Sequence, residues 1–405
     1  MQTNLSDKAR ALARADEAET ILRTCVHCGF CNATCPTYQL LGNELDGPRG
    51  RIYLIKQMLE GAPVTDKTQV HLDRCLTCRN CETTCPSGVK YHTLLDIGRD
   101  MLDQTVERPL AERALRAGLR HLVPRPRAFD ALLKAGRMIR PALPKKIADK
   151  IPHSIADAGE RPAIRHARRM LMLEGCAQRS LSPNTNAAAA RVLDRFGISI
   201  ENAPEAGCCG ATDYHLDAQQ AGLVRARRNI DAWWPSVEAG AEAIVQTASG
   251  CGAFVKEYGE LLRSDPAYAE RARHISAIAR DLVEVIASES VEELRVATDM
   301  RIAFHCPCTL QHAQKLGGAV EGVLSRLGFD LTNVPDSHLC CGSAGTYSIT
   351  QPELAQRLRD NKLDALESGQ PDLIVTSNIG CQTHLGSGGR TPVRHWVELV
   401  DSMLS

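Results

Sequence analysis

The chain lacks a charge excess of either sign: 48 Lys+Arg balance 48 Asp+Glu over 405 residues. Phosphate binding asks for a clear basic surplus, so nucleic acid is not expected as the main partner. It also lacks any run of 18 apolar residues, which at sequence level excludes a membrane-spanning helix. The opening stretch, MQTNLSDKARALARADEAE, has no apolar core of a secretory signal, and a reducing compartment is therefore expected. No G-x-G-x-x-G follows an expected strand, and no acid–base constellation is legible. A substrate-transforming site on this chain alone is not expected. What is present is an ordinary folded composition, 43% apolar and 24% charged, at a length that favours two or three domains. Above all there are 17 cysteines. An odd number clustered in CxxC steps points to metal ligation rather than disulfides.

Eight cysteines fall in two matching blocks, Cys25-V-H-Cys28-G-F-Cys31-N-A-T-Cys35-Pro36 and Cys75-L-T-Cys78-R-N-Cys81-E-T-T-Cys85-Pro86, offset by fifty residues. This is the bacterial ferredoxin run. Three closely spaced thiolates wrap one cubane corner, and the fourth, before proline, serves the other cluster. The pattern assigns Cys25, Cys28, Cys31 and Cys85 to one [4Fe–4S] cluster, and Cys75, Cys78, Cys81 and Cys35 to a second. Structural zinc would use separated C-x2-C pairs for one tetrahedron, leaving the third and fourth cysteine of each block without a use. Between the blocks, Gly50–Gly61 carries apolar residues at 52, 55, 58 and 59, which predicts a spacer helix ending near Gly61.

The other nine cysteines obey a repeat. Cys208-Cys209-Gly210 and Cys340-Cys341-Gly342 are each preceded by a single cysteine 32 positions earlier, Cys176 and Cys308. Each pair is followed by one more, Cys251 or Cys381, in the similar settings IVQTASGCG and IVTSNIGCQ. Met170–Leu173, Ile198–Ile200 and Ala243–Thr247 read as short strands with helices between them. In the second copy Ile302–Phe304, Leu331–Val334 and Leu373–Thr376 read likewise. Such alternation predicts a parallel sheet whose strand ends gather the cysteines at one edge. The fold class expected is a multidomain α+β and α/β chain. A mostly helical two-cluster ferredoxin-like domain spans 1–105 and a basic, Pro-rich helical linker spans 106–167. A duplicated α/β cysteine-rich (CCG) domain then spans 168–297 and 298–405.

Four convergent thiols per copy have three readings: a third cluster or other metal site, a redox-active thiol pair or quinone-facing pocket, or a structural set of buried cysteines. Cys308, Cys340, Cys341 and Cys381 are the favoured third site, with Cys306 or His384 nearby. Cys176, Cys208, Cys209 and Cys251 are the weaker one. His305, His338 and His384 lie close in sequence to these ligands, although a lone histidine is more often a satisfied polar residue than a ligand. The joining segment Arg108–Lys150 holds twelve Lys/Arg against three Asp/Glu, with leucines at 115, 119, 122, 132 and 133 in short stripes. Such basic amphipathic helices lie on anionic membrane surfaces or pack on partner subunits.

Taken together, GRIYLIKQMLEG, HLDRCLTCRNCETTCPSGV, AGCCGATDYH and FHCPCTLQHAQKLGG resemble the iron–sulfur subunit of bacterial glycolate oxidase, nearly end to end. More distantly the chain is similar to iron–sulfur subunits of anaerobic glycerol-3-phosphate dehydrogenase and of lactate-utilising complexes, and to the CCG subunit of heterodisulfide reductase. The resemblance implies an electron-transfer subunit working with two FAD-containing subunits that oxidise glycolate to glyoxylate. It implies delivery of electrons towards quinone, from the cytoplasm, at the inner face of the cytoplasmic membrane. FAD would reside on the partners only. The same relay role in a lactate or glycerol-3-phosphate complex is the alternative, and an iron–sulfur scaffold or redox sensor is the alternative of another class. The heterodisulfide reductase pattern ends in C-x2-C; here Ala248 and Asn378 stand three residues before Cys251 and Cys381, so each copy lacks one of that family's ligands.

Overall fold

The computed structural model describes residues 1–12, 14–142, 151–152 and 154–404. The chain forms two compact units. One comprises Met1–Arg116 with His338–Leu358, the other Ala117–Ser337 with Arg359–Ser405.

The N-terminal unit is helical. Its spacer helix runs Pro48–Leu59, with proline in the first turn, where a missing N–H costs nothing. Ile52, Ile55, Met58 and Leu59 are buried on one face, as the spacing predicts. They share a core with Leu94, Leu95, Met101 and Leu102 of helix Tyr91–Asp103 and with Leu22 of helix Ala15–Thr24. Cys25, Cys75 and Cys81 border the same core, so the thiols are fixed by packing.

The second unit holds two parallel four-stranded sheets. The first is formed by β1 (Arg168–Met172), β2 (Ile198–Glu201), β3 (Ile244–Gln246) and β4 (Ala279–Asp281), in the order β2-β1-β3-β4. The second repeats it with β5 (Arg301–His305), β6 (Asp330–Leu331), β7 (Leu373–Thr376) and β8 (Val393–His395), in the order β6-β5-β7-β8. Sequence patterning identifies three strands per copy. The fourth escapes it because β4 and β8 are three residues each and run directly into helices Leu282–Ala287 and Trp396–Leu404. Strand β6 is shorter than Leu331–Val334 suggests, although the Thr332 N–H still donates to the Ile302 carbonyl at 2.9 Å.

The copies share one apolar core, in which Met170, Leu193, Val245 and Leu282 meet Ile302, Leu324, Val375 and Trp396. Helix Asn184–Arg195 of the first copy packs on Trp396–Leu404 of the second. Ala187, Ala188 and Ala189 are fully buried there, and such small side chains allow close helix approach. Arg191 grips the Asp401 carboxylate at 2.6 and 2.9 Å across the same seam.

Candidate metal centres

Each ferredoxin block wraps its first three cysteines in the same way. His27 and Gly29 in the first block, and Thr77 and Arg79 in the second, take positive φ, so the loop curls around a common centre. The N–H two residues on points back at the first sulfur: Thr77 donates to Cys75 Sγ at 3.4 Å, and His27 to Cys25. Cys85 then lies with Cys25, Cys28 and Cys31, while Cys35 lies with Cys75, Cys78 and Cys81. The fourth cysteine of each block therefore joins the other block's three. Burial, followed by the neighbouring sulfurs, pushes the Cys31 thiol up to about 11 and Cys81 well above the ordinary range. A group of thiols that resists ionisation by itself, yet converges, fits a cation that takes the protons' place.

The two groups differ in surroundings. The first opens to solvent: Cys28 is exposed, and Val26 and Phe30 beside it are 68% and 62% exposed. The second is closed by Arg51, 1% exposed, whose Nη1 lies 4.0 Å from Cys35 Sγ. Arg51 donates to the Thr37 hydroxyl at 3.1 Å and the His71 carbonyl at 2.7 Å, and faces buried Asp46 at 3.8 Å. Tyr91 Oη donates to Cys75 Sγ at 3.5 Å. The Cys340-Cys341 turn belongs to this unit as well. Asn80 donates to the His338 carbonyl at 3.1 Å and Tyr347 to the Arg74 carbonyl at 3.1 Å. The buried Tyr347 ring faces Arg51, Cys75 and Cys340, and burial first, then these sulfurs, raises its hydroxyl pKa.

In the other unit, the first copy brings together all four of its thiols. Cys176 and Cys209 donate to Cys208, which is thereby held well below the ordinary thiol range, and Cys209 also contacts Cys251. The turn is pinned from behind by Tyr258 Oη on the Cys209 carbonyl at 2.5 Å and Asn229 on the Cys208 carbonyl at 3.1 Å. Glycine closes both turns for the same reason. Gly210 and Gly342 have φ of +104° and +87°, and a Cβ would come within 2.5 Å of the Gly222 carbonyl and 2.7 Å of the Ala355 carbonyl. Cys308 and Cys381 of the second copy lie in this unit. Cys306 instead enters the shared core beside Glu321, and burial drives its thiol far up. His384 lies near His305.

Residues 21–89 match the family described as a 4Fe-4S dicluster domain, and residues 170–256 and 302–386 each match the Cysteine-rich domain, CCG. The chain is 69% identical over 404 residues to the glycolate oxidase iron-sulfur subunit of Escherichia coli K12, covering 100% of this chain and 99% of that protein. It belongs to the family of glycolate oxidase iron–sulfur subunits. A probable glycolate oxidase iron-sulfur subunit of Bacillus subtilis 168 is 32% identical over 93% of this chain and 90% of its own. Lactate utilization protein A of Geobacillus thermodenitrificans is 26% identical over 50% of this chain. As a member of the glycolate oxidase family, this subunit carries iron–sulfur clusters and transfers electrons for an oxidoreductase complex.

Within this glycolate oxidase subunit, the position of the absent CCG cysteine has another use. Asn378 caps helix Ile379–Gly386 through the Gly380 N–H at 2.8 Å and donates to the Ser249 hydroxyl of the first copy at 3.0 Å. Ala248 simply precedes helix Ser249–Lys256. Residue patterns alone missed Arg51, Asp46 and Tyr347. Arg51 had a signal: it sits on the apolar stripe of the spacer helix, in line with Ile55 and Met58, where a charge needs a buried reason.

Proposed function

We propose that Cys25, Cys28, Cys31 and Cys85 hold one [4Fe–4S] cluster and Cys75, Cys78, Cys81 and Cys35 the second, and that this subunit relays electrons from FAD-containing partner subunits towards quinone. The crossing of Cys35 and Cys85 carries the reading, because it gives each group four convergent sulfurs on the ferredoxin pattern. Clusters bound there supply one-electron acceptor and donor chemistry. The protein's part is to exclude water, orient the thiolates and aim N–H groups at sulfur. Exposed Cys28, flanked by Val26 and Phe30, is the natural face towards the flavin subunits. A third centre on Cys176, Cys208, Cys209 and Cys251 is supported by their mutual contacts, and Cys308 and Cys381 are candidates for one in the second copy.

Among the described residues no helix is long and apolar enough to cross a membrane. Peripheral contact with the inner face of the cytoplasmic membrane is supported by helices Leu110–Leu122 and Pro126–Ile139. They leave Leu110, Leu132, Met138 and Ile139 exposed among arginines. The remainder of the basic segment, 143–150, lies outside the described residues.

The deciding experiment isolates the complex anaerobically and adds glycolate. Two flavoproteins should accompany the chain, and the cluster absorbance should bleach only when they are present. Bleaching by glycolate of the chain alone, or reduction by lactate or glycerol 3-phosphate but not glycolate, would overturn the reading.

A further inference from the structure

The two CCG copies differ at a buried position three residues before their first shared cysteine. Superposing Cys308 on Cys176 sets His305 over Leu173. Leu173 is an ordinary core residue, packed with Leu171, Phe254 and Tyr258. His305 ends β5, is 2% exposed, and neither of its ring nitrogens has a hydrogen-bond partner. A polar group left unsatisfied in this way is destabilising, and an imidazole offers two such atoms. Its backbone is nonetheless fixed, since the Thr376 hydroxyl donates to the His305 carbonyl at 3.0 Å. Burial, and then the neighbouring Lys362 and His384, lower the pKa of the ring well below the ordinary imidazole value. A ring nitrogen and Cys381 Sγ lie within 4.8 Å. Bonds of about 2.0 Å to nitrogen and 2.3 Å to sulfur span such a gap with a single metal atom between them.

We propose that His305 is a nitrogen ligand to an iron of the centre in the second CCG copy, sharing that iron with Cys381. The proposal rests on the reading of this chain as an electron relay and adds a mixed nitrogen–sulfur site to it, where the first copy offers sulfur alone. Replacing thiolate by imidazole raises the potential of an iron–sulfur centre. The second copy is then the better electron acceptor of the two, and His305 is the residue that makes the duplicated domains unequal.

The test uses the whole complex, prepared anaerobically with ¹⁵N-histidine and reduced. Pulsed EPR should show a histidine nitrogen coupled to one cluster signal. His305→Leu, which installs the first copy's residue, should abolish that coupling and lower the iron content, while the two ferredoxin-type signals persist. His305→Cys should restore the iron without the nitrogen coupling and shift the midpoint potential downwards. Absence of histidine coupling in the wild-type complex, unchanged iron in His305→Leu, or stoichiometric zinc held at this position each overturns the proposal. Loss of the ferredoxin-type signals in the wild type would instead count against the relay itself.

Discussion

Arg51 brings a full positive charge to within 4.0 Å of Cys35 Sγ with 1% of its surface exposed. Away from water such a charge is weakly screened and favours added negative charge nearby. Burial alone would lower its pKa, but Cys75, Tyr91, Cys35 and Asp46 hold it firmly protonated. The counterpart at the exposed group, Arg49, is paired with Glu44 at 2.6 Å and faces solvent. On the ligand sets proposed above, the cluster beside Arg51 should therefore have the higher potential. Arg51→Met should lower its midpoint in an EPR-monitored redox titration and leave the other unmoved, with Arg51→Lys in between. Equal midpoints in wild type and Arg51→Met would show that Asp46, with His71 and Arg74 around it, already cancels the charge. The eight ferredoxin cysteines were legible because their spacing is set by cubane geometry. Arg51 was not, because its meaning depends on which side chains the fold sets around it; His305 was one of three candidate histidines, and only the fold shows its ring nitrogens buried without partners.

Among the elements, the three-residue strand β4 carries a titrating device. Asp281 ends it and caps helix Leu282–Ala287 by accepting the Val283 N–H at 3.2 Å, while Gln314 of the second copy donates to it at 3.2 Å. Burial raises its carboxyl to about 7, against the pull of those hydrogen bonds and of Lys256, with Glu284 adding to the rise. Its unfolded value is near 3.8, so the native state binds the extra proton. The associated stability is complete below the unfolded value and is lost as pH rises through about 7. Denaturant unfolding of the anaerobic chain, followed by the buried Trp233 and Trp396, should become easier from about pH 4 to about pH 7 and level off above that. Asp281→Asn should flatten that dependence, and an unchanged slope would assign it to other groups. The longer strands of each sheet were readable as apolar runs. Strands β4 and β8 were not, since three residues fused to a helix leave no period to read.

At the scale of the whole molecule, the chain leaves its N-terminal unit at Arg116, returns at His338 and departs again at Leu358. Sequence repeats reveal the two CCG copies but not this return, which is written in single contacts such as Asn80 to the His338 carbonyl and Tyr347 to the Arg74 carbonyl. A chain ending at Arg116 keeps all eight ferredoxin cysteines yet loses those contacts. It should bind its iron, but bleach in air several-fold faster than the full-length chain when both are followed by visible absorbance. Equal rates would mean that the returning segment gives the clusters no protection.

That return also sets an order of assembly. During synthesis the first hundred residues emerge early, with their thiols already grouped along the chain. The segment that completes their unit emerges only after most of both sheets has been made. The long separation between partners makes this closure a late event in folding. Metal can thus be loaded into a nascent half that is still open on one side, and the closing step waits until the downstream domains exist. A chain stopped before His338 lacks the segment that completes its N-terminal unit, so the topology ties completion of that unit to completion of the polypeptide.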